Sequence, residues 1–325
     1  MKPAEPTSSF NYTYVASVVA SYWIVSISMV YLNKILLSNK DASISAPLFV
    51  TWYQCVLTCV ICIILGHMGE RTRNAGSKSF LDDFPKVKYN LESGIAVLPL
   101  SFIFVGMITF NNLCLKYVEV SFYNVARSLS IVFNVIFTFC LLRKPTSFLT
   151  CSTLLVVILG FVVGIDGEIN FSLIGTACGV FSSVFVSLNS IYTSKILPKV
   201  DNDKSLLLYY NNYNASLLFI PLIVIFEHEM IIEEAHKLTS LVFWATMTVT
   251  GVMGFAIGLV TVMQVKATSP LTHNISGTAK AAVQSLLAFY IWGNEATLKG
   301  VLGIFLVIFG SGLYTWVQMF SVHKK

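Results

Sequence analysis

Long apolar stretches, separated by short polar connections, run along the whole sequence. An α-helix needs about 20 apolar residues to cross the hydrocarbon core of a bilayer. Ten stretches reach that length, which predicts an all-α membrane protein with ten transmembrane helices. The predicted spans are Tyr14–Leu37, Leu48–His67, Ser93–Leu115, Ser121–Leu142, Phe148–Ile165, Phe171–Thr193, Ser205–Phe226, Leu241–Val262, His273–Trp292 and Gly300–Phe320.

The composition agrees with a polytopic membrane protein. Of the 325 residues, 55% are hydrophobic and 11% are charged, and the mean hydropathy is +0.74. Soluble domains contain about 25% charged residues. We therefore expect the lipid bilayer as the surroundings, with no soluble domain and no nucleic-acid partner. Residues 1–13 lack the apolar region of a removable signal peptide, so the first span is expected to act as a signal anchor.

The basic residues predict the orientation in the membrane. With the N-terminus in the cytosol, 14 of the 21 Lys and Arg lie on the cytosolic side, four lie on the opposite side and three lie within spans. Because basic residues concentrate in cytoplasmic loops, both the N-terminal segment 1–13 and the tail 321–325 are expected in the cytosol. The cations within spans are Lys34, Arg127 and Lys280, whereas all 16 Asp and Glu fall outside the predicted spans.

Two pairs of segments resemble each other at long range. SISMVYLNKIL (26–36) aligns with SLNSIYTSKIL (187–197) at an offset of 161 residues, and LKYVEVSFYNV (115–125) aligns with VKATSPLTHNI (265–275) at an offset of 150. The change in offset, 11, equals the difference in length between the connections 68–92 and 227–240. Since five spans is an odd number, the second copy runs upside down, as in secondary transporters. We expect two inverted five-helix repeats, 14–165 and 171–320.

Polar residues recur on one face of the fourth span and on one face of the ninth. These residues are Asn124, Arg127 and Asn134 in the fourth span, and His273, Gly277, Lys280 and Gln284 in the ninth. Arg127 and Lys280 each lie roughly 10 Å inside a span, entering from opposite ends. The two cations are therefore expected to meet near the middle of the membrane.

Two buried cations without a buried acid favour a site for a dianion. A cation at a span centre costs about 2.5–3.5 kcal/mol on insertion scales. A diphosphate fits, because Arg offers a planar fork of donors and Lys a point charge. The alternative is a bond to backbone carbonyls or snorkelling toward the interface. For Lys34, near a span end, that alternative is favoured, although Lys34 stays a candidate for lining the cavity.

The seventh span begins with a polar run that suits a nucleoside. An Asn amide offers both donors and an acceptor to the edge of a guanine, and Tyr stacks on a base or ribose. The alternative is a polar helix end at the interface, where Tyr is common. Both interpretations stay open for Tyr209, Tyr210, Asn211, Asn212 and Asn214. Further candidates for lining a cavity are Asn111, Asn112, Tyr123 and Asn274.

Small residues indicate packing rather than chemistry. Cys55, Cys59 and Cys62 share one face of the second span, and the sequence has no C-x-x-C motif. We expect no metal site, no disulfide framework and no cofactor. GxxxG pairs permit close helix contacts, and it is left open whether these lie within a protomer or between the protomers of a homodimer. The pairs are Gly160/Gly164, Gly175/Gly179 and Gly254/Gly258.

A transporter is favoured over an enzyme. The spans contain neither a nucleophile–base pair nor a carboxylate, so a polytopic membrane enzyme remains only a remote alternative.

Seven motifs are distributed along nearly the whole chain. They are SISMVYLNK (26–34), GMITFNNLCLKY (106–117), FYNVARSL (122–129), VSLNSIYTSKILP (186–198), YYNNYNA (209–215), TSPLTHNISGTAKA (268–281) and YTWV (314–317). As a set they resemble the nucleotide-sugar transporters of the drug/metabolite transporter superfamily. In GDP-sugar transporters an FYNN motif reads the guanine, and Tyr209 to Asn212 are similar to it, with Tyr in place of Phe.

The resemblance also implies a ribose and diphosphate site. A GALNK motif binds these groups in GDP-mannose transporters, and the similar segment here is Ser276, Gly277, Thr278, Ala279 and Lys280. Ala279 replaces the Asn of that motif, which agrees with the GTAK pattern of the GDP-fucose branch. The resemblance therefore implies an antiporter that imports GDP-fucose from the cytosol into the Golgi lumen for fucosylation, in exchange for GMP, by alternating access. GDP-mannose, another nucleotide sugar or a phosphorylated metabolite is the alternative cargo.

Overall fold

The computed structural model describes residues 12–38, 44, 46–76, 81, 84–143, 147–167, 171–267, 276–277, 280–281, 283–284, 287, 290–291 and 297–323. Ten α-helices have defined bounds: α1 (Tyr12–Ser38), α2 (Pro47–Asn74), α3 (Leu91–Tyr117), α4 (Val120–Leu142), α5 (Phe148–Asp166), α6 (Leu173–Ile196), α7 (Lys204–Phe226), α8 (His228–Glu233), α9 (Leu241–Ala267) and α10 (Leu298–His323). The described residues between 276 and 291 are helical as well, and no strand occurs in the described part of the chain. The fold is all-α, as predicted.

Nine of the ten predicted spans coincide with long helices, namely α1 to α7, α9 and α10. The predicted span His273–Trp292 lies mostly outside the described residues. Eight helices of the described chain are long and apolar enough to cross a membrane. Helix α7 is not among them, because the run from Tyr209 to Asn214 makes its first half polar. The predicted connection Glu227–Ser240 contains the short helix α8 and a 3-10 turn, Ala235–Thr239.

Local sequence chemistry determines where several helices begin and end. Four first turns are capped by a side-chain oxygen that accepts from a backbone N–H, which stabilises a helix by about 1 kcal/mol. The caps are Asn90 for α3, Ser147 for α5, Ser172 for α6 and Asp203 for α7. Helix α2 ends at Asn74, and Gly76 follows with a φ of 70°. Glycine adopts this left-handed conformation without steric cost, so it terminates the helix.

Glycines bring α5 and α10 into backbone contact. A Cβ added at Gly160 would lie 2.7 Å from the Val307 nitrogen, and one added at Gly303 would lie 2.7 Å from the Gly164 Cα. Side chains at these positions would separate the two helices. The close contacts of the Gly160/Gly164 pair are therefore made within one protomer.

The outer surface of the bundle is apolar. Phe148, Leu241 and Leu298 are 87%, 84% and 86% exposed. Water-soluble monomers rarely expose large continuous apolar patches. These side chains suit contact with lipid, in agreement with a multi-pass membrane protein.

Glu227 ties the end of α7 to the start of α2. Its carboxylate oxygens accept from the backbone N–H groups of Leu48 (2.8 Å) and Phe49 (2.9 Å). A negative charge is favourable at a helix N-terminus, where backbone N–H groups lack helical partners. Burial raises the pKa of the Glu227 carboxyl, and the two backbone hydrogen bonds oppose that rise.

The contact between α5 and α10 predicts the effect of adding side chains. Gly160→Val should lower the Tm of the detergent-solubilised protein by several degrees, because overpacking typically costs about 1–3 kcal/mol. Gly312→Val is the matched control, since a Cβ at Gly312 meets no atom within 4 Å. Equal melting temperatures for the two variants would contradict this packing.

Candidate functional site

A cavity of about 330 Å³ lies between α1, α4, α6, α10 and the segment 276–284. We call it the cationic cavity. Its wall is formed by Tyr22 of α1; Asn124, Arg127, Ser128, Ser130, Ile131 and Asn134 of α4; Val186, Ser187 and Ser190 of α6; Gly277, Lys280, Ala281 and Gln284; and Val307, Ile308, Ser311, Tyr314 and Thr315 of α10.

The cationic cavity brings together the two polar faces expected from the sequence. Asn124, Arg127 and Asn134 reach it from α4, because a spacing of three, four or seven residues places side chains on one side of a helix. Lys280 and Gln284 reach it from the described part of the segment 276–284. The two faces are in direct contact, because the Gln284 amide donates to the Asn124 Oδ1 at 2.9 Å.

Tyr123, one turn earlier on α4, holds Arg127 and is itself held by a neighbouring helix. Its guanidinium donates to the Tyr123 hydroxyl at 2.8 Å, and that hydroxyl donates to the Asn111 Oδ1 at 3.3 Å. Ser182 on α6 donates to the same Asn111 oxygen at 2.6 Å. The Arg127 side chain remains exposed to the cavity. Asn111 and Tyr123 therefore support Arg127 from outside the cavity wall.

Helix α1 holds Lys280. The Lys280 ammonium donates to the Ser26 hydroxyl at 2.7 Å and lies 5.7 Å from the centroid of the Tyr22 ring. A turn earlier, the Trp23 indole donates to the Ser276 hydroxyl at 2.7 Å. Each of these partners is neutral, so the positive charge of Lys280 is stabilised without being neutralised.

The cavity has a net positive charge in the described structure. No Asp or Glu is among the described residues of its wall. The ion pairs seen among the described residues, such as Lys86–Glu70 and Lys299–Asp166, lie outside it. A low-dielectric cavity with two uncompensated cations attracts anions strongly. It can hold a group with two negative charges.

The polar run of α7 lies elsewhere. The Tyr210 hydroxyl donates to the Lys88 carbonyl at 3.1 Å and accepts from the Asn90 N–H at 3.0 Å. The Asn214 amide donates to the Gly94 carbonyl at 2.8 Å, and Tyr209 packs among buried apolar residues. These side chains contact the segment that leads into α3, and the run Tyr209–Asn214 does not belong to the described wall of the cationic cavity.

Two amides of this part of the chain make different contacts. The Asn212 amide donates to the Leu208 carbonyl at 2.8 Å, within its own helix. The buried Asn211 Oδ1 has no hydrogen-bond partner among the described residues. It is an acceptor that a ligand could use.

The remaining candidates are distributed as follows. Lys34 donates to the backbone carbonyls of Leu115 (2.6 Å) and Val118 (2.7 Å). A bond to backbone carbonyls is the alternative that the sequence favoured for this lysine near a span end. Asn112 donates to the Thr51 hydroxyl at 2.6 Å, between α3 and α2. The other three candidates, His273, Asn274 and Thr278, lie outside the described residues.

Sequence reasoning missed the hydroxyl groups of the wall. Ser190, Ser311 and Tyr314 line the cavity, yet single Ser or Tyr residues in a span are common and show no periodic excess. Two signals were present. Ser187 of the wall is aligned with an identical residue, Ser26, in the internal repeat. Tyr314 belongs to the YTWV motif.

A multi-pass bundle around a cationic cavity defines a membrane transporter for anions, and comparison with known proteins agrees. The model of the Triose-phosphate Transporter family matches residues 13–315. The chain belongs to this family, within the drug/metabolite transporter superfamily.

Three similar proteins are named GDP-fucose transporters. GDP-fucose transporter 1 of Nematostella vectensis is 48% identical, over 95% of this chain and 91% of its own. GDP-fucose transporter 1 of Mus musculus is 46% identical, over 95% and 85%. The GDP-fucose transporter of Caenorhabditis elegans is 44% identical, over 98% and 86%. A solved crystal structure with 14% identity shares the fold, with a TM-score of 0.55 over 91% of this chain and 99% of the other.

The two cations predict diphosphate binding. GDP should raise the Tm of the purified protein, because a ligand of the folded state stabilises it. Arg127→Ala and Lys280→Ala should each weaken the GDP affinity about 100-fold or more, since each loses a charge-assisted contact of a few kcal/mol. Lys299→Ala is the control, because Lys299 is an exposed cation paired with Asp166. An unchanged Kd in folded Lys280→Ala protein would remove Lys280 from the site.

Proposed function

We propose that the protein is an antiporter that imports GDP-fucose from the cytosol into the Golgi lumen in exchange for GMP, by alternating access. The observation that carries the proposal is the pair of uncompensated cations, Arg127 and Lys280, on the wall of one cavity. Relatives at 40–48% identity that are named GDP-fucose transporters support the cargo. The diphosphate of GDP-fucose and the phosphate of GMP are both dianionic at neutral pH and suit the same site.

Arg127 and Lys280 bind the diphosphate in this proposal, and the Ser276–Thr278 segment contacts the ribose. Gly277 supports this role, because a Cβ at this position meets no atom within 4 Å and the residue lines the cavity. A ligand can therefore approach the backbone closely. The Tyr209–Asn214 run is proposed for the guanine, and the Asn211 Oδ1, which has no hydrogen-bond partner among the described residues, supports it.

Alternating access rests on two inverted repeats, which helix positions support. Helices α1 and α6 begin at Tyr12 and Leu173, 161 residues apart. Helices α3 and α9 begin 150 residues apart and end 150 residues apart, each with 27 residues. Helices α5 and α10 begin at Phe148 and Leu298, again 150 apart. These are the two offsets of the sequence alignment.

Contacts between helices support the same repeat. Ser26 contacts Lys280, and its repeat counterpart Ser187 donates to the carbonyl of Ser130, the counterpart of Lys280, at 2.7 Å. Helix α3 packs on α6 and α7, and its counterpart α9 packs on α1 and α2. In secondary transporters built from inverted repeats, the binding site lies at the interface between the repeats, which supports the cationic cavity as the proposed site.

Obligatory exchange is expected from the charge of the site. An empty cavity with two unscreened cations should reorient slowly, whereas bound GDP-fucose or GMP relieves the repulsion. Liposomes preloaded with GMP should take up labelled GDP-fucose quickly, and empty liposomes should take up little. Inhibition of this uptake by GMP but not by UMP would show that the site recognises guanine. Fast uptake into empty liposomes driven by an imposed pH gradient would refute this coupling.

The excess of basic residues on one side predicts both termini in the cytosol. Epitope tags on each terminus should be accessible to antibody after selective permeabilisation of the plasma membrane. If either tag becomes accessible only after the Golgi membrane is opened, the proposed orientation is wrong.

A further inference from the structure

Lys34, near the end of α1, caps the end of α3. Its ammonium donates to the carbonyls of Leu115 and Val118, and α3 ends at Tyr117. Backbone carbonyls at a helix C-terminus lack helical partners, and the helix dipole favours a cation there. We call these two hydrogen bonds the Lys34 cap. They connect α1 to α3.

The Lys34 cap lies beside a buried apolar cluster that reaches the wall of the cationic cavity at Val307. Buried apolar side chains from α1, the end of α3 and the start of α4 pack together there, including Val30, Val118 and Phe122. One turn from Lys34, the Tyr31 hydroxyl donates to the Gln284 carbonyl. The second half of α1 thus packs on the end of α3 and on Gln284, on the side that the basic residues predict to be lumenal.

The proposed repeat assigns a counterpart to each part of this cap. An offset of 161 pairs Tyr31 with Tyr192 and Lys34 with Lys195. An offset of 150 pairs Tyr117, the last residue of α3, with Ala267, the last residue of α9. Both Lys195 and the end of α9 are placed on the cytosolic side. The two lysines differ in this structure: Lys34 contacts a helix end, whereas the exposed Lys195 ammonium lies 5.6 Å from the Tyr192 ring centroid.

We propose that Lys34 and Lys195 are reciprocal gate residues of the transport reaction. In one state Lys34 caps α3 and closes the lumenal end of the cavity. In the other state the Lys34 cap is broken, and Lys195 caps α9 at the backbone carbonyl of Val265, the counterpart of Leu115, and closes the cytosolic end. The proposal rests on the inverted repeats and alternating access of the proposed function.

The chemistry of the two caps explains how a small cargo can shift the protein between states. Each cap consists of the same ammonium–carbonyl contacts, so breaking one and forming the other costs little. Two states of similar free energy respond to modest differences in cargo affinity. If only one of the two states had such a cap, the protein would stay in that state.

The test measures which end of the cavity is open, without cargo. Ser190→Cys, on the cavity wall, is the reporter in a chain whose seven native cysteines are replaced. Oriented proteoliposomes are treated with a membrane-impermeant thiol reagent from one side or the other, and the ratio of cytosolic to lumenal labelling rates is recorded. Lys34→Ala should lower this ratio about tenfold, the effect of losing one or two charge-assisted hydrogen bonds.

A double variant distinguishes a role of the two lysines in gating from a purely structural role. Lys195→Ala should shift the ratio in the opposite direction, and the Lys34→Ala/Lys195→Ala double variant should return toward the wild-type ratio. If Lys34→Ala fails to fold, Lys34→Gln, which keeps a neutral donor, should lower the ratio by a smaller factor. Lys299→Ala should leave it unchanged.

A ratio that both single variants leave unchanged, or shift in the same direction, would overturn the proposal. Because no cargo is present, this outcome is distinct from a failure of the proposed function. If the two variants shift the labelling ratio in opposite directions in a protein that does not carry GDP-fucose, the gate proposal is supported and the proposed cargo is refuted. Unchanged ratios in a protein that exchanges GDP-fucose for GMP would refute the gates alone.

Discussion

Two cations on the wall of one cavity, Arg127 and Lys280, are the constraint on which the rest of the structure depends. Burying them is unfavourable unless a partner is supplied. The described protein supplies only neutral partners: the Tyr123 hydroxyl for Arg127, and the Ser26 hydroxyl and Tyr22 ring for Lys280. Those contacts orient the charges without cancelling them. In the proposed function, the cargo neutralises this charge.

Helix α1 connects the Lys280 side chain to the Lys34 cap. Ser26 holds Lys280, Tyr31 contacts the Gln284 carbonyl, and Lys34 caps α3. These positions lie along one helix, so a movement of α1 changes the surroundings of Lys280 and the Lys34 cap together. Through this helix, the proposed alternating access links cargo binding to the opening and closing of the cavity.

The length of the apolar stretches was sufficient to predict nine of the long helices, and the depth of Arg127 and Lys280 in their spans predicted that both would line one cavity. Helix geometry alone places Asn124, Arg127 and Asn134 on one face, and a span of about 20 residues limits the depth of each cation. The internal repeat predicted the equivalent starts of α3 and α9. Such inferences need only spacing, which the sequence contains.

Side-chain partners could not be predicted in the same way. A polar run such as Tyr209–Asn214 can satisfy its hydrogen bonds with a ligand or with nearby backbone, and composition does not separate the two. In the folded protein, Tyr210 and Asn214 bond the backbone before and within α3. Asn111 likewise reaches Tyr123 behind Arg127. Such choices depend on tertiary packing, which single-sequence patterns do not encode.

The most direct test of the role of the two cations is a structure determined with GDP-fucose bound. We expect the diphosphate oxygens to lie within about 4 Å of both the Arg127 guanidinium and the Lys280 ammonium, the range of a direct ion pair. A diphosphate that contacted neither cation and lay outside the cationic cavity would contradict this role.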